Sequence, residues 1–372
     1  MTPYRAQVQE AVRSVSILSA TRFAWFGATS PALPRKTARA LTADAARTHL
    51  VSGLRQSLYL GFYAAGAPVA DATPPVRAGQ CPDFVDALSA ANAGQGWWSS
   101  GWVVTSREDD GAVSAEQDGL RLLAKRGAWR GSAPPGVGAD VERCVESRVG
   151  SSVDFLMPKE QLGISPGFYL AHGNIELDPG RESGIVRVYW NTNADGAVKL
   201  MAGLTGSLND RGLAFRLKVI AHPDSFTRRD AAVLYLRGDD FDTAAPTLAR
   251  VHGAIASKLG AAVPAFTKPL APGVAVAENP TGGMSFGWHR CGLLAEAIIE
   301  GHERRLRTIE RRIDRVAERF AEAGLSLDAP YLNPGATDRY RWSRPSEGLL
   351  EPRVNRTPPP ALASASASVA KN

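Results

Sequence analysis

Between residues 185 and 292, short apolar segments carry cations and phenols at alternating positions. Arg187 and Tyr189 are two apart in Val186-Arg187-Val188-Tyr189-Trp190-Asn191, Arg216 and Lys218 repeat the spacing in Phe215-Arg216-Leu217-Lys218-Val219, and Tyr235 and Arg237 repeat it again after Arg228-Arg229. On a β-strand such residues project from one face. Facing cations on adjacent strands would bind a highly charged anion, because guanidinium groups match phosphate oxygens two at a time and gain most when desolvated. For any single arginine, the solvated face of an ordinary strand is the simpler account. Lys218 differs, lying between Leu213-Ala214-Phe215 and Val219-Ile220-Ala221. Apolar surroundings and neighbouring cations disfavour its charged form, leaving an amine that can act as a base.

A second stretch, Gly282-Gly283-Met284-Ser285-Phe286-Gly287-Trp288-His289-Arg290-Cys291, runs into the helical pattern Leu293 to Ile298. A glycine turn feeding a helix places free N–H groups and the positive end of the dipole where an anion can sit, although simple capping would look the same. Arg290 would oppose that dipole, which predicts a compensating anion nearby. His172 and His289 are alternative proton donors, or turn-bonding histidines.

The elements that must position these groups follow from periodicity. Thr2-Pro3 with Val8, Ala11, Val12 and Val15 predicts an opening helix that runs to a loop around Pro31, Pro34 and Lys36. Further helices are expected over 42–61, ending in core aromatics Tyr59, Phe62 and Tyr63, and over 82–91, with a loop over 67–80 between them. Trp97, Trp98 and Trp102 among glycines read as packing a turn. Strands are expected over 102–105, 120–123, 140–149, 167–172, 184–192, 214–221 and 231–237, and helices over 197–208 and 243–259. Residues 288–324 read as a long helix or a helix pair, whose seam of Leu306, Ile309, Ile313, Val316 and Phe320 packs within the chain. The reading is an α+β protein with a mainly helical region over 1–100, an α+β region over 101–325 and an extended or flexible tail over 326–372.

The chain of 372 residues is 44% hydrophobic with a net charge of +6. It lacks an apolar run of membrane-spanning length, which predicts a soluble, cytoplasmic protein. Cys81, Cys144 and Cys291 form no CxxC pair, so neither a disulfide framework nor a thiolate metal site is expected. Basic runs are not interleaved with aromatics as a nucleic-acid surface requires. A phosphate-loop kinase and a Cys-x5-Arg phosphatase lack their motifs, and Asp239-Asp240 reads as a helix cap rather than a metal ligand pair. No metal and no cofactor are expected.

Four segments resemble the HopA-type family of type III effectors: Gly61-Phe62-Tyr63-Ala64-Ala65-Gly66, Gly167-Phe168-Tyr169-Leu170-Ala171-His172-Gly173-Asn174, Val186-Arg187-Val188-Tyr189, and Ser285-Phe286-Gly287-Trp288-His289-Arg290-Cys291. The resemblance covers roughly 50–305. It implies a distant kinship to the phosphothreonine lyases of bacterial virulence, an antiparallel-sheet catalytic half, and relatives that act beside aminoglycoside-phosphotransferase-like kinases in class V lanthipeptide and thioamitide pathways. Carried over by motif, the catalytic lysine falls on Lys218, the middle arginine on Arg228 or Arg229, the tyrosine on Tyr235 and the late arginine near Arg290. The Lys-x-His strand of the lyases falls on Arg187-Val188-Tyr189, so the acid histidine is missing, and Tyr189 becomes the first choice for its role, with His172 and His289 behind it. The implied activity is β-elimination of phosphate from phosphoserine or phosphothreonine in a precursor peptide. The implied partners are that phosphorylated peptide, its leader and the kinase, without nucleic acid or membrane. The competing expectation is a non-catalytic scaffold for peptide and kinase.

Overall fold

The computed structural model describes residues 2–66, 81–132, 148–178 and 184–342. Helix α1 (Pro3–Ser14) starts as expected, with the Thr2 hydroxyl accepting from the Arg5 amide. It stops sooner than its apolar spacing suggests. Val15 is already extended, and the chain forms a three-stranded meander, β1 (Val15–Ser19), β2 (Arg22–Trp25) and β3 (Ala28–Thr29), that buries Val15, Phe23 and Trp25. Period-two burial of β-branched and aromatic side chains outweighs the helical spacing that includes Val15.

Helices α2 (Arg35–Ala40) and α3 (Ala43–Ser57) follow, the latter capped by Thr42. Its register widens into a π-helical segment, Leu58–Ala65, closed by Gly66 in the left-handed region with its amide on the Gly61 carbonyl. Phe62 and Tyr63 are buried, but Tyr59, expected in the core, is only half-buried and faces a cavity. Helix α4 (Pro82–Ala91) has the expected bounds. The expected loop over 67–80 lies outside the described residues.

The tryptophans at 97–102 lie in a strand rather than a turn. β4 (Trp97–Arg107) is the centre of a five-stranded antiparallel sheet with β5 (Val113–Gln117), β6 (Leu120–Ala124), β7 (Trp129–Gly131) and β8 (Ser152–Met157), in the order β6-β5-β4-β8-β7. A bulge between Ser99 and Trp102 accommodates the glycine there, and Trp102 stacks on Phe155 in this sheet's own small core. The strand expected over 140–149 falls on residues outside those described, except for 148 and 149, which lead into a turn.

The remaining strands form one seven-stranded antiparallel sheet. They are β9 (Glu160–Leu162), β10 (Phe168–His172), β11 (Ile185–Trp190), β12 (Phe215–Ile220), β13 (Ala232–Arg237), β14 (Lys268–Ala271) and β15 (Val274–Glu278), in the order β14-β15-β11-β13-β12-β10-β9. Helices α5 (Ala194–Asp210) and α6 (Phe241–Ile255) pack against each other, and their buried Leu200, Leu204 and Leu248 join Val188, Leu217 and Leu234 in the main core. The region 288–324 is a helix pair, α7 (Phe286–Glu303) and α8 (Ile309–Glu322), and the seam residues Ile313, Val316 and Phe320 are buried within the chain. Residues 326–342 carry no long element, yet Tyr331, Leu332 and Tyr340 are buried, and the Tyr340 hydroxyl donates to Glu278. The part of the expected tail beyond residue 342 lies outside the described residues. No described helix is long and apolar enough to cross a membrane.

Candidate active site

Sheet register places the chemistry in two adjacent rows. One row runs Ala277, Arg187, Tyr235, Arg216, His172 across β15, β11, β13, β12 and β10. The next runs Ala275, Tyr189, Val233, Lys218, Leu170. Strand alternation puts both rows on one face of the sheet. The π-helical segment and the first turn of α7 cover part of that face. Tyr63 contacts both Tyr189 and Phe286, with ring centroids 6.4 and 6.3 Å apart. Gly287 permits this approach, because a Cβ there would lie 2.4 Å from the Tyr63 ring.

Two chambers open on this face. The inner one, of about 70 Å³, is lined by Tyr59, Tyr189, Arg228 and Asp230 and by Ser285 and Gly287 at the start of α7. The outer one, of about 230 Å³, is lined by Ser165, Leu170, Arg216, Asn279, Gly283 and Met284. Arg187, Lys218 and Tyr235 line both.

Lys218 therefore stands at the junction. Its Nζ lies 3.9 Å from the centre of the Phe168 ring, and among the described residues it has no carboxylate or hydrogen-bond partner. Burial pushes its pKa down to about 8, with Arg228 and Arg187 adding to the fall and Asp230 opposing it. About a tenth is then the neutral amine at pH 7, far more than for a lysine of ordinary pKa.

The two arginines of the inner chamber are held differently. Arg187 Nε donates to Asn279 Oδ1 at 2.7 Å and its guanidinium lies over the Tyr235 ring, 5.1 Å from the centroid. Arg228 is clamped by Asp230 through two hydrogen bonds of 2.8 Å, and its second nitrogen also reaches the Tyr59 hydroxyl at 2.9 Å. Burial opposes the Arg228 charge, but the Asp230 carboxylate outweighs it and holds the guanidinium above its ordinary range. Tyr189 is 2% exposed, and its hydroxyl makes no hydrogen bond of ordinary geometry even though the Tyr63 phenol is a near neighbour. Burial lifts its pKa beyond the usual phenol range, so it stays protonated.

Four expected site residues do not line either chamber. Arg229 points to another cleft, beside Glu10, Trp25 and Gly66, with long hydrogen bonds to the Val263 and Gly66 carbonyls. Arg290 is buried in α7 and donates to the Pro330 and Leu332 carbonyls at 2.8 and 3.0 Å. Those carbonyls are its hydrogen-bond partners, and the Glu278 carboxylate adds a favourable charge without an ion-pair contact. His289 sits against the Arg290 guanidinium, and burial together with that cation lowers its pKa to about 4. His172 ends the upper row but is roofed by Trp97 and bonded to Gln161, and burial lowers it to about 3. Both imidazoles are neutral at pH 7, so neither is the imidazolium that a general acid would require.

Four residues of the site went unread in the sequence. Asp230 carries a signal in retrospect, since Arg228-x-Asp230 is an arginine two residues from a carboxylate. Phe168 lies in a segment that carries the family resemblance but was given no role, and Tyr59 and Asn279 carry no signal, because each reaches the site from a distant segment.

Comparison with known proteins bears on this region. A model described as the HopA1 effector protein family matches residues 157–332, which take in every strand of the seven-stranded sheet and α5 to α8. No curated protein matches the sequence. Among solved structures, the effector protein from Pseudomonas syringae pv. tomato strain DC3000 is 16% identical, with a TM-score of 0.38 over 68% of this chain and 80% of that one. The effector protein from Pseudomonas syringae pv. syringae strain 61 is 17% identical, with a TM-score of 0.36 over 45% and 62%. Over residues 157–332, which contain Arg187, Lys218, Arg228 and Tyr235, the chain is thus similar to the HopA1 effector family.

Proposed function

We propose that this chain eliminates phosphate from phosphoserine or phosphothreonine in a ribosomally made precursor peptide, leaving dehydroalanine or dehydrobutyrine. The observation that carries the reading is Lys218: a half-buried amine without an ion-pair partner among the described residues, held near pKa 8, where two arginine-lined chambers meet. Neutral Nζ removes the α-proton, and the Cα–H electron pair becomes the Cα=Cβ bond. The Cβ–O bond breaks and its electrons leave with the phosphate. Arg187 and Arg228 hold that phosphate, and the Tyr189 hydroxyl donates a hydrogen bond toward the oxygen that departs. The lysine ammonium then returns its proton to solvent.

Nothing in this arrangement installs phosphate, so a separate kinase supplies the substrate, most simply one that recognises the same leader peptide. The test is mass spectrometry of a phosphorylated precursor incubated with the protein, with no nucleotide added. Loss of phosphoric acid supports elimination. Release of phosphate with water gained would indicate hydrolysis, and binding without mass change would indicate a scaffold.

Two expectations separate the residues and the base. Arg187→Ala should weaken phosphopeptide binding by about 1.5–3 kcal/mol for each charged hydrogen bond lost. Arg229→Ala should leave that affinity unchanged, and Arg290→Ala should lower thermal stability more than affinity; calorimetric titration and melting curves check all three. The second expectation is pH dependence. Because burial lowers the Lys218 pKa, the base form grows as pH rises through about 8, whereas the substrate phosphate is already a dianion above about pH 6. kcat/KM should therefore climb and level off above about pH 8. An acid limb centred near the histidine range would point to a different base.

A further inference from the structure

The inner chamber has a wall that the arginines do not account for. Helix α7 begins there, with Ser285 as its N-cap residue but without a side-chain cap bond. The first helical hydrogen bond runs from the His289 amide to the Ser285 carbonyl at 2.9 Å. The amides of Phe286, Gly287 and Trp288 thus have no carbonyl one turn earlier, and no side chain among the described residues accepts from them. A helix start left bare in a buried place is an unpaid desolvation cost unless a ligand meets it. Two independent features of the same chamber call for the same ligand. The Tyr189 hydroxyl, on a 2% exposed residue, makes no hydrogen bond of ordinary geometry, although the Tyr63 phenol and the Arg187 guanidinium lie near it. The lining also holds Arg187, Lys218 and Arg228 against the single carboxylate of Asp230.

Resting on the elimination reading, we infer that the substrate phosphate sits in the inner chamber on the amino end of α7, with the amides of Phe286, Gly287 and Trp288 and the Tyr189 hydroxyl donating to its oxygens, while the peptide chain lies in the outer chamber. The helix start takes the place that motif comparison gave to Arg290. Arg290 instead acts as a positioning residue, fixing α7 against the 330–332 carbonyls. Lys218 stands between the chambers, and a residue whose phosphate points inward and whose backbone runs outward presents its α-carbon there. The selected ligand is a phosphomonoester on a chain that can be drawn out from it, since the inner chamber has about 70 Å³ and the outer about 230 Å³.

Hydrogen exchange of the full chain tests this, with inorganic phosphate and then a phosphothreonine peptide as probes. The unbonded amides of 286–288 should exchange readily in the free protein and slow on addition of either probe. Tyr189→Phe should weaken phosphate binding about tenfold or more, the loss of one hydrogen bond to a charged group. Phosphate that binds, with affinity lost in Arg187→Ala, but leaves exchange at 286–288 unchanged would overturn the seat without touching the elimination. Protection at 286–288 by a peptide that keeps its phosphate would uphold the seat while the elimination fails.

Discussion

Lys218→Ala is expected to bind phosphopeptide and leave it unprocessed, with single-turnover elimination slowed about 10²–10⁴-fold, the range over which a positioned base acts. The side chain lies on the Phe168 ring and makes no ion pair among the described residues, so its removal breaks no salt bridge and takes away a cation whose burial is unfavourable. Stability should hold or rise, and the defect should appear in the chemical step. Lys218→Arg should be as inactive, because a guanidinium does not give up its proton near neutral pH. Its retained charge makes it the better control for phosphate affinity. Turnover near that of the parent protein in either variant would remove Lys218 as the base.

The sheet face was legible because strand alternation is a local rule. Arg187, Tyr189, Arg216, Lys218 and Tyr235 are brought together by period-two spacing in three adjacent strands, and apolar neighbours on both sides of Lys218 announce its burial. The α+β class follows from the same alternation interrupted by helical periods, whereas the antiparallel pairing of the strands was implied only by the family resemblance. What stayed hidden depends on which way long side chains turn. Arg228 and Arg229 are chain neighbours, yet the first meets Asp230 and Tyr59 inside the site while the second reaches the Val263 and Gly66 carbonyls in another cleft. Motif position marked Arg290 for the phosphate, but its partners are backbone carbonyls forty and more residues later, which no local pattern can show. The meander at Val15 to Thr29 was lost for a related reason: Val15 fits a helical stripe as well as a strand, and burial beside Phe23 and Trp25 decides between them.

Removing one partner of the Arg228–Asp230 pair should have the largest effect on the fold of any change in the site. Both groups are nearly buried, at 6% and 7% exposure, and are joined by two hydrogen bonds of 2.8 Å. Arg228→Ala strands the carboxylate in that environment, for a cost of about 3–5 kcal/mol, visible as a lowered melting temperature. Arg228→Met combined with Asp230→Leu removes both charges and should recover most of that stability. It should not recover phosphopeptide affinity if, as proposed, the Arg228 guanidinium binds phosphate with the capacity that Asp230 and Tyr59 leave to it. Recovery of stability and affinity together would confine Arg228 to a structural part. Asp230→Asn isolates the electrostatics: Asp230 is the group that raises the Lys218 pKa against burial and against Arg228 and Arg187. Without its charge the amine should lose its proton at lower pH, and the acid limb of kcat/KM should move below its parent position of about 8. A limb that stays in place, in a variant shown to be folded, would mean that the titrating base is not the lysine beside this carboxylate.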